Sequence, residues 1–175
     1  MIHIPVPTSA QRKSPRCNRR GRVRAGLTGV LVAGLLAAVA IQATAANEVL
    51  TWNETALKVS KADGQNTIQE TRTLAMVQGV VHDALNAINR RYAAYYFEGP
   101  GKTSASPEAA VAAAAHTVLV GVVSSFGTPA QKMAALALAE DAYLASLGRM
   151  SNDAAKTQGV AVGRAAGAAM LTLRK

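Results

Sequence analysis

Thr67-Ile-Gln-Glu-Thr-Arg-Thr-Leu-Ala-Met-Val-Gln-Gly-Val-Val-His-Asp-Ala-Leu-Asn-Ala-Ile88 decides the fold class. Its apolar side chains recur at Leu74, Val77, Val81, Leu85 and Ile88, the spacing of a buried helical stripe. A polar line, Gly79, Asp83 and Asn86, runs down another face. Thr67 with Glu70 reads as a capping box, so the helix is expected to open there and run to about Asn89.

Working outward, the punctuation predicts four more helices. Thr51-Trp-Asn-Glu-Thr-Ala-Leu57 lies in a first helix from about Val49 to Ala62, stopped by Asp63-Gly64. Ser106-Pro107-Glu108 supplies an N-cap, a proline at the first helical position and an acid in the first turn of a third helix, expected to reach Phe126 and end at Gly127. Thr128-Pro129 starts a fourth, with Gly148 as its C-cap, and Ser151 starts a fifth. Alternating β-branched runs are missing, so the fold class is all-α: about five helices in a bundle-like half-domain over residues 46–175.

The helices differ in how much they bury. The third, with Val111, Val118, Leu119, Val120, Val122 and Val123 among alanines, is apolar nearly all round and belongs at the centre. The fourth is read as amphipathic, with Met133, Leu136, Tyr143 and Leu147 inward and Lys132, Glu140 and Asp141 nearer water. The fifth lines up Ala155, Gly159, Gly163 and Gly167 along one side. Interior glycines each cost about 1 kcal/mol against alanine, so they imply close approach of another helix backbone. Lys156 and Arg164 argue against a membrane span carrying that stripe. The connection from Arg90 to Ala105 is long for a helix bundle and holds Tyr92, Tyr95, Tyr96 and Phe97, so it is expected to be pinned to the body by its rings. Its Gly99-Pro100-Gly101-Lys102 lacks the order and setting of a phosphate-binding loop.

Residues 1–45 read as a signal peptide. Arg12, Lys13, Arg16, Arg19, Arg20, Arg22 and Arg24 precede an apolar run from Ala25 to Ile41, and Ala43-Thr44-Ala45 offers cleavage before Ala46. Arg19-Arg20 resembles a twin-arginine signal, although Gly-Arg-Val follows it, and both export routes stay open. The run is at the short limit for an uncleaved anchor, so no stable membrane span is expected after cleavage, and the protein is expected to be periplasmic or extracellular. The whole chain is formally +9, and the leader carries seven of its basic residues and no acid. The remainder holds 12 basic and 10 acidic residues, a net of +2, so a nucleic-acid partner is excluded. Cys17, the single cysteine, leaves with the leader; the mature part depends on packing alone.

Several ordered motifs together resemble a known family. They are Trp52-Asn53 with Ala56-Leu57; Arg72-x-Leu74-Ala75-Met76-Val77; His82-Asp83-Ala84-x-Asn86-Ala87-Ile88 followed by Tyr92 and Tyr95; Ser106-Pro107-Glu108-Ala109-Ala110 leading into Ala115-His116; and Gly159-x-Ala161-Val162-Gly163-x-Ala165-Ala166. In this order they resemble the amino-terminal helical region of bacterial vanadium-dependent haloperoxidase-like proteins, within the superfamily of type 2 phosphatidic acid phosphatases. The resemblance covers nearly all of residues 49–174. It implies a protein in which vanadate or phosphate sits among lysine, arginine, backbone amides and two histidines. Such a trigonal-bipyramidal oxyanion needs fixed cationic donors to spread its charge.

The family carries those residues in a carboxy-terminal half, in a lysine to arginine-proline motif, a serine-glycine-histidine motif and an arginine to histidine motif. Here no proline follows an arginine and no Ser-Gly-His occurs. His3, His82 and His116 match none of these motifs, so no catalytic, cofactor-binding or metal residue is assigned, and no cofactor is expected in this chain. Met170-Leu-Thr-Leu-Arg-Lys175 stops inside an apolar helical pattern, which suits either a truncated or split gene product or a short paralogue with a fraying last turn. The expected partners are a missing carboxy-terminal half or a second copy of the chain.

Individual residues then read as structural. His82 and Asp83 are adjacent on a helix and diverge by about 100°, so they cannot together clasp one ion. Hydrogen bonding to a neighbouring helix or to the aromatic loop is their expected role. His116 reads as a satisfied core histidine. Trp52 reads as a groove-filling anchor, with the Asn53 amide fixing neighbouring backbone. Ser124, Ser125 and Ser151 have no histidine at readable spacing.

Overall fold

A computed structural model describes residues 47–99, 101, 104–123 and 127–174. The leader, Ser124, Ser125 and the expected helix end at Phe126 lie outside the described residues. Among those described there are five helices and no strand: α1 (47–62), α2 (Thr67–Ile88), α3 (Pro107–Val123), α4 (Pro129–Gly148) and α5 (Ala154–Leu173). The all-α reading is correct.

The starts of the helices follow local side-chain chemistry, one or two residues away from some expectations. Asn66, not Thr67, caps α2: its side chain accepts from the Gln69 amide at 3.0 Å while Gln69 Oε1 accepts from the Asn66 amide at 2.9 Å. An asparagine with glutamine three residues later closes the same reciprocal box as threonine with glutamate. Thr128 and Gln131 do likewise for α4, with Pro129 behind the cap. Ser106 Oγ accepts from the Ala109 amide at the head of α3. Asp153, not Ser151, caps α5, because its carboxylate accepts from the Lys156 amide at 2.9 Å.

The ends differ too. Gly64 and Gly127 take left-handed φ values of 72° and 71°, closing the α1–α2 and α3–α4 turns as expected. A Cβ on Gly127 would overlap the Asp63 carbonyl oxygen, so the two turns press against one another. Gly148, by contrast, lies within α4, and Arg149 caps it in a right-handed conformation.

α3 is the axis of the fold, packed against α2, α4 and α5, and α2 also packs on α5. Seven of its residues between Ala109 and Ala115 form an unbroken buried run. Against it lie Gly159, Gly163 and Gly167 of α5. A Cβ on Gly163 would overlap the Ala110 carbonyl oxygen, and one on Gly167 would stand 2.6 Å from Thr117 Cβ. The glycine stripe is therefore a seam where two helix backbones touch, as the spacing predicted. The Ser106 amide also donates to the Ala155 carbonyl at 2.9 Å, fixing the start of the seam.

α4 corrects part of the amphipathic reading: Tyr143 is inward and Glu140 and Asp141 are exposed as expected, but Met133 and Leu136 are not core. Its inward stripe is Ala135, Ala139, Tyr143 and Ser146, and Leu147 is half-buried. Met133 and Leu136 face outward with Leu144, and Met133 is 73% exposed. The small residues let α4 approach α3 closely, and the large ones, one third of a turn away, are left on the outside. No helix among the described residues is long and apolar enough to cross a membrane.

Candidate functional site

The polar line on α2 is the most organised polar arrangement in the described chain. Gly79, Asp83 and Asn86 fall on one side of the helix with Arg72, spaced by whole turns, and Arg90 lies two residues past its end. Asp83 is 1% exposed. Its Oδ1 accepts from the Tyr95 amide at 2.6 Å, and its Oδ2 accepts from the Tyr96 and Phe97 amides at 2.9 and 2.8 Å. One turn on, Asn86 Oδ1 accepts from the Arg91 and Tyr92 amides at 3.1 and 3.0 Å while its Nδ2 donates to the Tyr92 carbonyl at 2.8 Å. His82 Nε2 donates to the Ala93 carbonyl at 3.0 Å, which fixes the proton on that nitrogen.

Together these bonds lay residues 91–97 back along α2. Arg90 closes the loop by donating to the Gly99 carbonyl at 2.5 Å. The loop is thus held chiefly by its backbone: Tyr92, Tyr95 and Tyr96 are 73%, 57% and 48% exposed, the Tyr92 ring meets His82 at 6.2 Å between centres, and Phe97 alone packs toward the core. The rings contribute less than expected. A pair of buried side chains satisfying six loop polar groups does the anchoring instead, which an aromatic count does not reveal. The Tyr95 ring lies along Gly79, and its hydroxyl accepts from Arg174 at 2.7 Å; Arg72 in turn donates to the Arg174 carbonyl at 3.2 Å.

His82 and Asp83 therefore serve the same loop from adjacent directions. Their structural assignment is the observed one. The cavity beneath the loop, lined by Asn86, Arg90, Tyr92, Phe97 and Glu98 among others, is about 150 Å³, below the usual range of small-molecule pockets.

A second cluster joins α1, α3 and α4. His116 stacks on Tyr143 at 4.3 Å between ring centres and 13° between planes, and meets the edge of Trp52 at 6.5 Å. Its Nε2 lies 2.9 Å from Glu140 Oε2. Trp52 is fully buried, and its indole N–H donates to Glu48 Oε1 at 3.0 Å. Glu48 also takes Arg149 at 3.0 Å. Trp52 is the expected anchor, and His116 is satisfied by Glu140 but only half-buried. Glu48 lies one helical turn from Trp52, whereas Glu140 and Arg149 lie far along the chain from His116 and Glu48 and left no local signal. Asn53 fixes a side chain and not backbone, since its Oδ1 accepts from Gln78 Nε2. Beside this cluster, a groove of about 480 Å³ is lined by Asn47, Glu48, Thr51, Glu108, Arg149 and Met150.

Among the described residues, no three histidine, cysteine, aspartate or glutamate side chains gather as metal ligands would. No protein-family model, no curated protein and no solved structure matches this chain.

Proposed function

We propose that the mature chain is the exported helical scaffold of a vanadium-dependent haloperoxidase or acid phosphatase-like protein, inactive by itself, whose oxyanion-holding residues belong to a carboxy-terminal half. One observation carries the reading: the residues of the resemblance fall on the ties of the fold. Trp52 is the fully buried anchor of α1, Asp83 and Asn86 hold the loop, and Gly163 sits on the seam between α3 and α5. A scaffold region needs its characteristic residues at such ties, because they fix helix positions on which a second half can be built.

The chain is purified from the exported fraction, where its first residue is expected to be Ala46. It is then assayed with vanadate, bromide and peroxide, and separately with a phosphate monoester. The expected result is no turnover by the chain alone. Turnover comparable to a full-length haloperoxidase or phosphatase, or stoichiometric retention of vanadate, overturns the proposal.

The outward face of α4 favours a second reading, a stand-alone interaction module that dimerises. Met133 and Leu144 are 73% and 59% exposed on one side of that helix, an apolar surface of the kind that marks interfaces. Light scattering during size exclusion separates the two. A dimer that Met133→Glu with Leu144→Glu converts to monomer supports the module, and a cooperative monomer at all concentrations counts against it.

A further inference from the structure

We propose that the outer surface of the 90–99 loop is a docking site for an extended acidic segment of a protein partner. The inference does not depend on the haloperoxidase-like reading, since it uses only the loop and its surroundings.

The first ground is what holds the loop. α2 buries a carboxylate and an amide almost completely, and both are spent on backbone groups of residues 91–97. Burying such groups is costly unless fully bonded, and here the result is a segment fixed in shape whose tyrosine rings keep about half or more of their surface in solvent. A loop fixed in its bound shape loses little freedom when a partner arrives. Tyrosine adds large, stiff contact area that is both apolar and hydrogen-bonding.

The second ground is charge. Arg91 is exposed within the loop, and Arg72 and Arg174 adjoin Tyr95 through the bonds described above. The Arg72 and Arg174 guanidinium groups meet neutral oxygens, and among the described residues none of the three arginines forms an ion pair with a carboxylate. Glu98 is the single acid between Arg90 and Gly99, and Asp83, the one acid on the line of α2 that faces the loop, is buried and committed. The surface is therefore locally cationic on a mature chain whose net charge is only +2. Tyrosine with arginine is the composition enriched at the centres of protein interfaces, and arginine clusters select acidic segments.

The third ground is shape. Arg72 and Asn89, the C-cap of α2 that adjoins Arg90 and Arg91, stand 17 residues apart along the helix, about 26 Å at 1.5 Å per residue. An extended chain covers that distance in about eight residues at 3.3 Å each. A strip of these proportions suits a strand-like segment better than a compact ligand, and the cavity below the loop is too small to receive one.

The test uses the full chain and an array of peptides of about ten residues, in which glutamate alternates with each uncharged amino acid in turn. Binding is read by fluorescence anisotropy at two salt concentrations. The expected result is salt-sensitive binding of a subset of acidic peptides and none of the lysine counterparts. Arg91→Glu, and Tyr92→Ser with Tyr96→Ser, should each weaken it roughly tenfold or more. Lys58→Glu, an exposed charge change elsewhere, should leave binding unaltered. All variants should keep the parent's melting temperature, because each replaced side chain is exposed. Four results overturn the proposal: no acidic peptide binds; the loop variants bind as the parent does; an oligouronate or a single-stranded oligonucleotide binds more tightly than any peptide; or the same variants abolish self-association instead.

Discussion

Asp83→Ala is expected to lower folding stability by about 3 kcal/mol and to release the 90–99 loop from α2. Three amides converge on this carboxylate at 2.6 to 2.9 Å. Hydrogen bonds to a charged group contribute about 1.5–3 kcal/mol each, and removing one partner leaves the others unpaired. Two effects reduce the sum: the cost of burying the carboxylate disappears, and a released loop lets water reach its amides. Asp83→Asn should fall between parent and alanine, near 2 kcal/mol, because one oxygen is kept while the new amide hydrogens face loop donors. Urea denaturation measures the change. Hydrogen exchange localises it, with the Tyr95, Tyr96 and Phe97 amides accelerating while α3 stays slow. A loss under about 0.5 kcal/mol, the range of an ordinary surface substitution, would show that the clamp does not hold the loop.

Gly163→Ala is expected to destabilise by about 2 kcal/mol despite improving helix propensity. The added methyl overlaps the Ala110 carbonyl oxygen and comes within 2.8 Å of the Ala114 amide nitrogen and 2.9 Å of Ala113 Cβ. All three belong to the central helix, where no flexible side chain can swing aside. Forcing an extra group into such packing costs about 1–3 kcal/mol or more, against a propensity gain of about 1 kcal/mol. Gly148→Ala provides the opposite sign. That glycine is in α4 without a left-handed φ, and a Cβ there meets nothing within 4 Å. It should be neutral or stabilising by about 0.5 kcal/mol. Thermal melts of the two variants should therefore move apart. If both rise, α5 does not rest on α3 as described.

The number and order of helices were legible because glycine, proline and capping residues act over three or four positions. Turn closure at Gly64 and Gly127 and the seam at Gly159, Gly163 and Gly167 could be read from spacing alone. Cap positions slipped by one or two residues because Asn66 and Asp153 were equally capable of capping beside Thr67 and Ser151. On α4 the largest apolar residues were read as core. There Tyr143 is buried as read, but Ala135 and Ala139 take the inward places given to Met133 and Leu136. The loop clamp was half legible. Asp83 and Asn86 stood out on a polar line and His82 beside it, but nothing local tells which backbone groups, 5 to 14 residues downstream, would meet them. Contacts such as Arg149 with Glu48, separated by 101 residues, leave no pattern at all.

Nearly half of the buried apolar side chains among the described residues are alanine. Alanine gives up no rotamer freedom when it is enclosed, so the interior forms at low entropic cost. It also covers little hydrocarbon area. Unfolding then exposes less apolar surface per residue than is usual, and the heat-capacity increment shrinks with it. A smaller increment flattens the dependence of stability on temperature. The consequence is a molecule whose fold strength changes little between cold and warm surroundings.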